Sequence, residues 1–187
     1  MPKIKPMWIV LGVLAIFALW VGSSYNGLIS QNETVDSKWA QVDTQLQRRY
    51  DLIPNLVNTV KGNTQQEKDV FGALAAARAQ YAGATTPESR TAAANQIEGS
   101  LARLLVIVEN YPALESSKAF RDLMTEIAGS ENRVAIARKD YNDVVAEMNK
   151  RVKRFPGNIV AGIFGFSERD YFQVTEEAKT VPVVNFE

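Results

Sequence analysis

The sequence contains neither cysteine nor histidine. The first absence excludes disulfide frameworks and thiolate chemistry. The second removes the imidazole on which most acid–base triads depend, and together they remove the usual ligand sets of zinc sites. Zero Cys suits an envelope protein with no need of oxidative folding, but cytosolic proteins also lack it, so the compartment has to be read from the N-terminus. Excess charge is missing as well: 21 basic residues balance 21 acidic ones, no block of five or six like charges occurs, and no nucleic acid partner is expected. The serines and threonines stand in no G-x-S-x-G turn, and there is no G-x-x-x-x-G-K phosphate loop. No cofactor and no metal are expected. The 187 residues leave, after an N-terminal segment is set aside, enough chain for one ordinary domain with a single core.

What is present begins with an apolar run. Between residues 6 and 32 there is no charged side chain, and residues 7–22, which open on Met7 and Trp8 and close on Trp20 and Gly22, are apolar but for glycine. At 1.5 Å per residue this is roughly 24 Å of helix, enough with its interfacial flanks to cross a bilayer core. Trp8, Trp20 and Tyr25 fall near the two ends, where amphipathic rings prefer the headgroup level; Lys3 and Lys5 precede the run, and Glu33 and Asp36 follow it. The expected arrangement is a signal-anchor in a bacterial inner membrane, crossing once, with a short cytoplasmic N-terminus and the remainder periplasmic or extracellular. A cleaved signal peptide would look similar, with Gly22 and Ser24 at the small-residue positions before Tyr25. Retention is favoured because the chain from Asn26 to Asp36 carries no loop signal beyond Gly27, so the spanning helix can run almost directly into the next one.

The remainder reads as helix. Leu28, Val35, Trp39, Val42, Leu46, Tyr50, Ile53, Val57 and Val60 form a ladder of three- and four-residue steps with one polar rung, Asn32. Asp36, Lys38, Gln41, Asp43, Gln45 and Gln47 lie opposite and read as solvated surface. Pro54 predicts a kink near Tyr50 rather than a break, because the stripe continues in phase beyond it. After Gly62 and Asn63, an alanine-rich second helix carries Val70, Leu74, Ala77 and Tyr81 and ends at Gly83. Thr86, Pro87 and Glu88 have the cap, first-turn proline and early carboxylate of a new start. The third helix runs through Ile97, Leu101, Leu104, Val108 and Tyr111 and stops before Pro112, where a turn follows. The fourth carries Phe120, Leu123, Ile127, Val134, Tyr141, Val145, Met148 and Val152 until Phe155, Pro156 and Gly157 end it.

The predicted fold class is therefore all-α: an N-terminal transmembrane helix followed by an antiparallel four-helix bundle with long first and fourth helices, coiled-coil-like in its spacing, and an irregular apolar C-terminal tail. The expected divisions are 1–25 for the anchor, 26–156 for the bundle and 157–187 for the tail. In that tail Ile159, Val160, Ile163, Phe164, Phe166, Tyr171 and Phe172 crowd among glycines without clean periodicity. Two readings stand: the tail packs across the bundle end, or Ile163, Phe164 and Phe166 touch lipid or a partner. Val183, Val184 and Phe186 would suit an extended edge or partner contact.

Charged residues interrupt the pattern at a few places. Glu131 and Arg138 take stripe positions on the fourth helix, and Arg49 sits beside Tyr50 at the edge of the first stripe. A buried unpaired charge costs several kcal/mol, so Glu131 is expected to meet Arg48 or Arg49 if the first and fourth helices are neighbours. A carboxylate pair for acid–base or metal work, Glu131 with Glu109 or Asp51, is the rival reading; bundle metal sites normally add Glu-x-x-His, which this chain cannot supply. Trp39, Tyr50 and Tyr141, at helical spacing, read as core rather than as a ligand stack.

Tyr25-Asn26-Gly27-Leu28, Trp39-Ala40-Gln41-Val42-Asp43 and the run from Gln45 through Arg48-Arg49-Tyr50-Asp51-Leu52-Ile53-Pro54 to Val57 resemble the signature of the bacterial LemA family. Glu109-Asn110-Tyr111-Pro112, Glu131-Asn132-Arg133, Ala137-Arg138, Tyr141-Asn142 and Phe155-Pro156-Gly157 resemble its later motifs, so the similarity spans about residues 25–172. The resemblance implies a membrane-anchored four-helix bundle, no catalytic residues, and an association with membrane stress, surface exposure and membrane proteases such as HtpX. Together these readings predict a non-enzymatic scaffold or adaptor, homo-oligomeric at the membrane and linked to envelope stress or membrane proteolysis. The polar network expected to fix its register is Arg48, Arg49, Asp51, Glu109, Glu131, Arg138 and Asn142. A carboxylate-dependent envelope hydrolase and a ligand-sensing bundle are the alternatives.

Overall fold

A computed structural model of the chain describes residues 6–61 and 68–173. The expectations for Lys3, Lys5, Gly62, Asn63 and the segment from Val183 to Phe186 lie outside the described residues, as does the side chain of Val70. Among the described residues the structure is all-helical: α1 Pro6–Lys61, α2 Lys68–Gly83, α3 Pro87–Val108, α4 Pro112–Glu115, α5 Lys118–Lys153 and α6 Gly157–Phe164. The chain divides into two compact units. The first joins the residues up to Lys38 with Asp140–Tyr171; the second joins Trp39–Lys139 with the residues from Phe172.

In the first unit, α1 begins at Pro6, a residue whose fixed φ and missing N–H suit a first turn. Its apolar side chains from Met7 to Leu19 stand exposed. Among the described residues this is the one helix long and apolar enough to cross a membrane. No turn interrupts the passage through Gly27 to Leu28, the first buried side chain among the described residues. The α5 segment of this unit lies along α1 through Gln31, which donates to the carbonyl of Val144 at 3.2 Å, and Lys38, 3.1 Å from Asp140. Arg151 donates to the carbonyl of Gly27 at 3.4 Å.

The tail expected to be irregular is helical over α6, which buries Val160 and Ala161. Its residues are almost uniformly apolar, so periodicity could not reveal the helix; its ends mark it better. Gly157 admits the approach of the Arg151 carbonyl, which would lie 2.6 Å from a Cβ placed there, and Gly165 closes the helix at φ +76°, a left-handed geometry that glycine adopts without penalty. Beyond it, Asn149 brackets the Arg169 backbone, donating to its carbonyl at 2.9 Å and accepting from its N–H at 2.8 Å. The Tyr141 hydroxyl donates to the carbonyl of Asp170 at 3.0 Å. Asp36, which the sequence pattern puts on solvated surface, is paired with Arg169.

In the second unit α1 continues through Pro54 without a break. Its buried positions are Val42, Leu46, Arg49, Ile53, Leu56 and Val60. The ladder expected from sequence puts Tyr50 and Val57 there, and both are only half-buried. The start of α3 is fixed by a reciprocal cap: Thr86 Oγ1 accepts from the Ser89 N–H at 3.2 Å, and Ser89 Oγ accepts from the Thr86 N–H at 3.1 Å. α3 packs on α2 and on α4. The turn expected at Pro112 is a one-turn helix opened by that proline, with Leu114 buried beneath it.

Candidate functional site

The second unit holds most of the buried charge. Because Arg49 follows Leu46 by three residues and precedes Ile53 by four, it is a core position of α1 and not the stripe edge, and only 6% of it is exposed. Its Nη2 lies 2.6 Å from Glu131 Oε2 on α5. Its Nε and Nη1 are buried without a hydrogen-bond partner among the described residues. Burial lowers the Arg49 pKa from its ordinary value, opposed by the charges of Glu131 and Glu98 and reinforced by Arg138. Arg138, also buried, reaches Glu98 on α3 at 3.4 Å and stacks its guanidinium 4.5 Å from the centroid of the Phe172 ring. Two arginines and two carboxylates from three helices thus sit within one unit, each charge facing an opposite one.

A cleft of about 250 Å³ opens against this group, lined by Arg49, Glu98 and Glu131 and walled by Leu56, Leu101, Leu105, Met124 and Ile127 among others. It is apolar with a charged floor, the composition of a small-molecule site.

A second polar group links α1, α2 and α3. The buried hydroxyl of Tyr81 donates to Asp43 Oδ1 at 2.9 Å, and Arg90 pairs with the same carboxylate. Desolvation and the Asp43 hydrogen bond raise the Tyr81 pKa well above that of a free phenol. The Tyr81 ring meets that of Tyr50 at 5.1 Å between centroids, and Arg78 stacks on Tyr50 at 4.9 Å.

The remaining residues singled out from the sequence lie elsewhere. Arg48 is exposed, Asp51 is exposed and accepts from Gln47 at 3.0 Å, and Glu109 is exposed at the C-terminal end of α3. Asn142 is half-buried on α5. Met7 and Trp8 are exposed on α1, Trp20 is half-buried with its ring 5.9 Å from that of Phe17, Gly22 is exposed, and Pro54 is half-buried. Trp39 is half-buried against Phe172, and Tyr141 is buried. Sequence reasoning misses Asp43, Tyr81 and Arg90 as a group, and Glu98 as the partner of Arg138. Asp43 and Lys38 read as solvated surface because a stripe on one face of α1 says nothing of neighbours on its flanks. The spacing of Asp43 and Arg49, six residues and therefore on different faces, is the available signal that α1 has packed surfaces beyond its stripe.

In the first unit the C-terminal turn of α5 and α6 form a basic and aromatic cluster beside α1. The ring of Tyr25 lies 4.5 Å from that of Phe164 and 5.9 Å from that of Phe166. Ile163 and Phe164 are exposed and Phe166 is half-buried. A cleft of about 270 Å³ is lined by Ser24, Leu28, Glu147, Lys150, Arg151, Arg154, Phe155 and Gly157. No group of three or more metal-ligating side chains occurs among the described residues.

Comparison with known proteins gives a consistent relationship. The chain is 26% identical to magnetosome protein MamQ 2 of Paramagnetospirillum magneticum, over 94% of this chain and 73% of the relative. It is 24% identical to magnetosome protein MamQ of Magnetospirillum gryphiswaldense, over 86% and 68%. Protein LemA of Metamycoplasma hominis is 20% identical over 91% and 78%. The model of the LemA family matches residues 38–186, most of the chain, and on that match the chain belongs to the LemA family.

Proposed function

We propose that the protein is a non-enzymatic scaffold or adaptor, held in a bacterial inner membrane by residues 7–22 and carrying an antiparallel helical bundle outside the cytoplasm that works through protein contacts. In the first unit Gly27, Gln31 and Lys38 of α1 meet Arg151, Val144 and Asp140 of α5, residue numbers rising on one helix as they fall on the other, which supports the antiparallel reading. The observation that carries the function is the pairing of three partly exposed carboxylates of the second unit with cations. Glu131 is held by Arg49, Glu98 by Arg138 and Asp43 by Arg90 and Tyr81. Glu98 and Glu131 line the cleft beside Arg49, but all three carboxylates are engaged by cations from other helices, as residues that fix register are, which supports a structural role over acid–base work. Val106 and Ile136 stand exposed on this unit as apolar contact points.

Self-association, and contact with a membrane protease such as HtpX or with an envelope-stress pathway, belong to the same proposal. The test is the mass of the full chain reconstituted in lipid nanodiscs, read by mass photometry across a concentration series. Assembly into a discrete oligomer supports the scaffold; strict monomers, together with no partner recovered by crosslinking in cells, contradict it. A Glu131→Gln or Glu109→Gln chain that folds normally and loses function would instead favour the carboxylate-dependent hydrolase.

The second reading is the ligand-sensing bundle, favoured by the cleft beside Arg49. Its apolar walls and its lining by Arg49, Glu98 and Glu131 suit a small amphiphile with a polar head. Saturable binding of an environment-sensitive dye that Leu105→Trp abolishes would support it.

A further inference from the structure

α6 exposes apolar side chains that its own packing does not use. Val160 and Ala161 are buried and pin the helix, while Ile159 and Ile163, four residues apart and so on one face, are exposed, Ile163 to 70%. Phe155, at the approach to α6, is 79% exposed and Phe164 half-exposed. Such a face needs an occupant.

Two observations identify it. The first is position. Phe164 and Phe166 pack on Tyr25, and the adjoining cleft is lined by Ser24 and Leu28. Along a helix rising 1.5 Å per residue, Ser24, Tyr25 and Leu28 stand about 3, 4.5 and 9 Å past Gly22, the end of the apolar run. The headgroup layer on each side of a bilayer is roughly 5–8 Å deep. If residues 7–22 span the membrane, Tyr25 and everything packed on it lie at headgroup depth. The second observation is charge. Lys150, Arg151 and Arg154 line that cleft against one carboxylate, Glu147, which Lys150 already contacts at 2.7 Å. Lys153 follows on the same turn of α5 and pairs with Glu168 at 2.7 Å. A basic cleft beside an exposed aliphatic and aromatic face is the pattern of an interfacial helix on an anionic lipid surface.

We propose that α6 lies in the membrane interface with Ile159 and Ile163 at the boundary between headgroups and acyl chains, and that the cleft lined by Ser24, Lys150, Arg151 and Arg154 binds the phosphate headgroup of an anionic phospholipid. This inference rests on the membrane-spanning reading of α1. The anchor and α6 then hold the first unit to the bilayer at two points, which sets its orientation there.

The absence of native cysteine makes the test direct. Full-length chains carrying Ile163→Cys or, as the anchor control, Leu14→Cys are labelled with an environment-sensitive fluorophore in nanodiscs of phosphatidylcholine with phosphatidylglycerol. Quenching by nitroxides attached at headgroup and mid-chain depth is then read, and retained lipids are counted by native mass spectrometry. A label at 163 quenched most by the shallow nitroxide is the expected result, with phosphatidylglycerol retained over phosphatidylcholine and the preference falling about fivefold for each of Lys150→Gln and Arg154→Gln. A label at 163 open to aqueous quenchers while that at 14 is deep overturns the inference and leaves the anchor standing; if the label at 14 is not in the bilayer, both fall. Shielding at 163 that lipid nitroxides do not reach and that grows with protein concentration assigns the face to a second copy. Displacement of phosphatidylglycerol by millimolar inorganic phosphate assigns the cleft to free phosphate. Either result overturns the proposal.

Discussion

At the scale of single residues, the pair between Arg49 and Glu131 is asymmetric, and the asymmetry is measurable. Arg49 has a side chain 7% exposed, whereas that of Glu131 is 37% exposed. Removing the carboxylate leaves a buried cation without its partner; removing the arginine leaves a carboxylate that water can reach. Glu131→Gln is therefore expected to destabilise the protein by about 1–3 kcal/mol in urea melts and Arg49→Met by clearly less, with the double variant close to Arg49→Met. Equal costs would show that the burial of Arg49 carries no such penalty. Tyr81 gives a pH dependence. Its phenol is held neutral by burial and by Asp43, so the folded pKa lies above the unfolded one of about 10. Its stabilising contribution is complete below about pH 10 and declines at higher pH as the unfolded chain, but not the folded one, loses the proton. Phenolate absorbance should show one tyrosine ionising only with unfolding, and Tyr81→Phe should flatten the alkaline decline in stability. Glu131 is legible in the sequence because a carboxylate breaks an apolar stripe. Arg49 is legible as one of the two arginines expected to meet Glu131, but not as a core position, because Leu46–Arg49–Ile53–Leu56–Val60 and Leu46–Tyr50–Ile53–Val57–Val60 both alternate three- and four-residue steps, and only packing against α2, α3 and α5 decides between them.

At the scale of elements, punctuation is more informative than periodicity. The start of α3 is legible from Thr86, Pro87 and Glu88, and the structure adds Ser89 as the reciprocal half of the cap. Thr86→Ala should cost about 1 kcal/mol, measured by thermal melting. α6 is not legible, since a helix apolar on nearly every side has no polar face to give it a period, yet its glycines delimit it. Alanine at 157 would press on the Arg151 carbonyl, and alanine at 165 must adopt a left-handed conformation costing roughly 1–2 kcal/mol. Both are expected to lower thermal stability, Gly157→Ala the more because its obstacle is backbone; a neutral Gly157→Ala would contradict the close approach. The length of α1 is only partly legible. Its continuity through Gly27 follows from the lack of turn residues, and Pro54 is carried inside the helix. Each leaves α1 one uninterrupted element from the apolar run into the amphipathic ladder.

At the scale of the whole molecule, labour is divided along one chain. Apolar side chains from Met7 to Leu19 face outward where a bilayer would cover them, and the charges of the second unit face one another across helices. Such a molecule has one exposed helix long and apolar enough to cross a membrane and well-fixed helical surfaces, and the work proposed for it is to hold other proteins, or copies of itself, at the membrane. The exposed Ile136 on α5, 64% accessible, provides the probe, since a cysteine introduced there is the only thiol in the chain. Ile136→Cys, expressed at native level and treated in intact cells with a short bifunctional maleimide, is predicted to give covalent species heavier than the 20.7 kDa chain, as a homodimer band or a discrete partner adduct. Complete labelling of the introduced thiol with the protein remaining at monomer mass would contradict the scaffold.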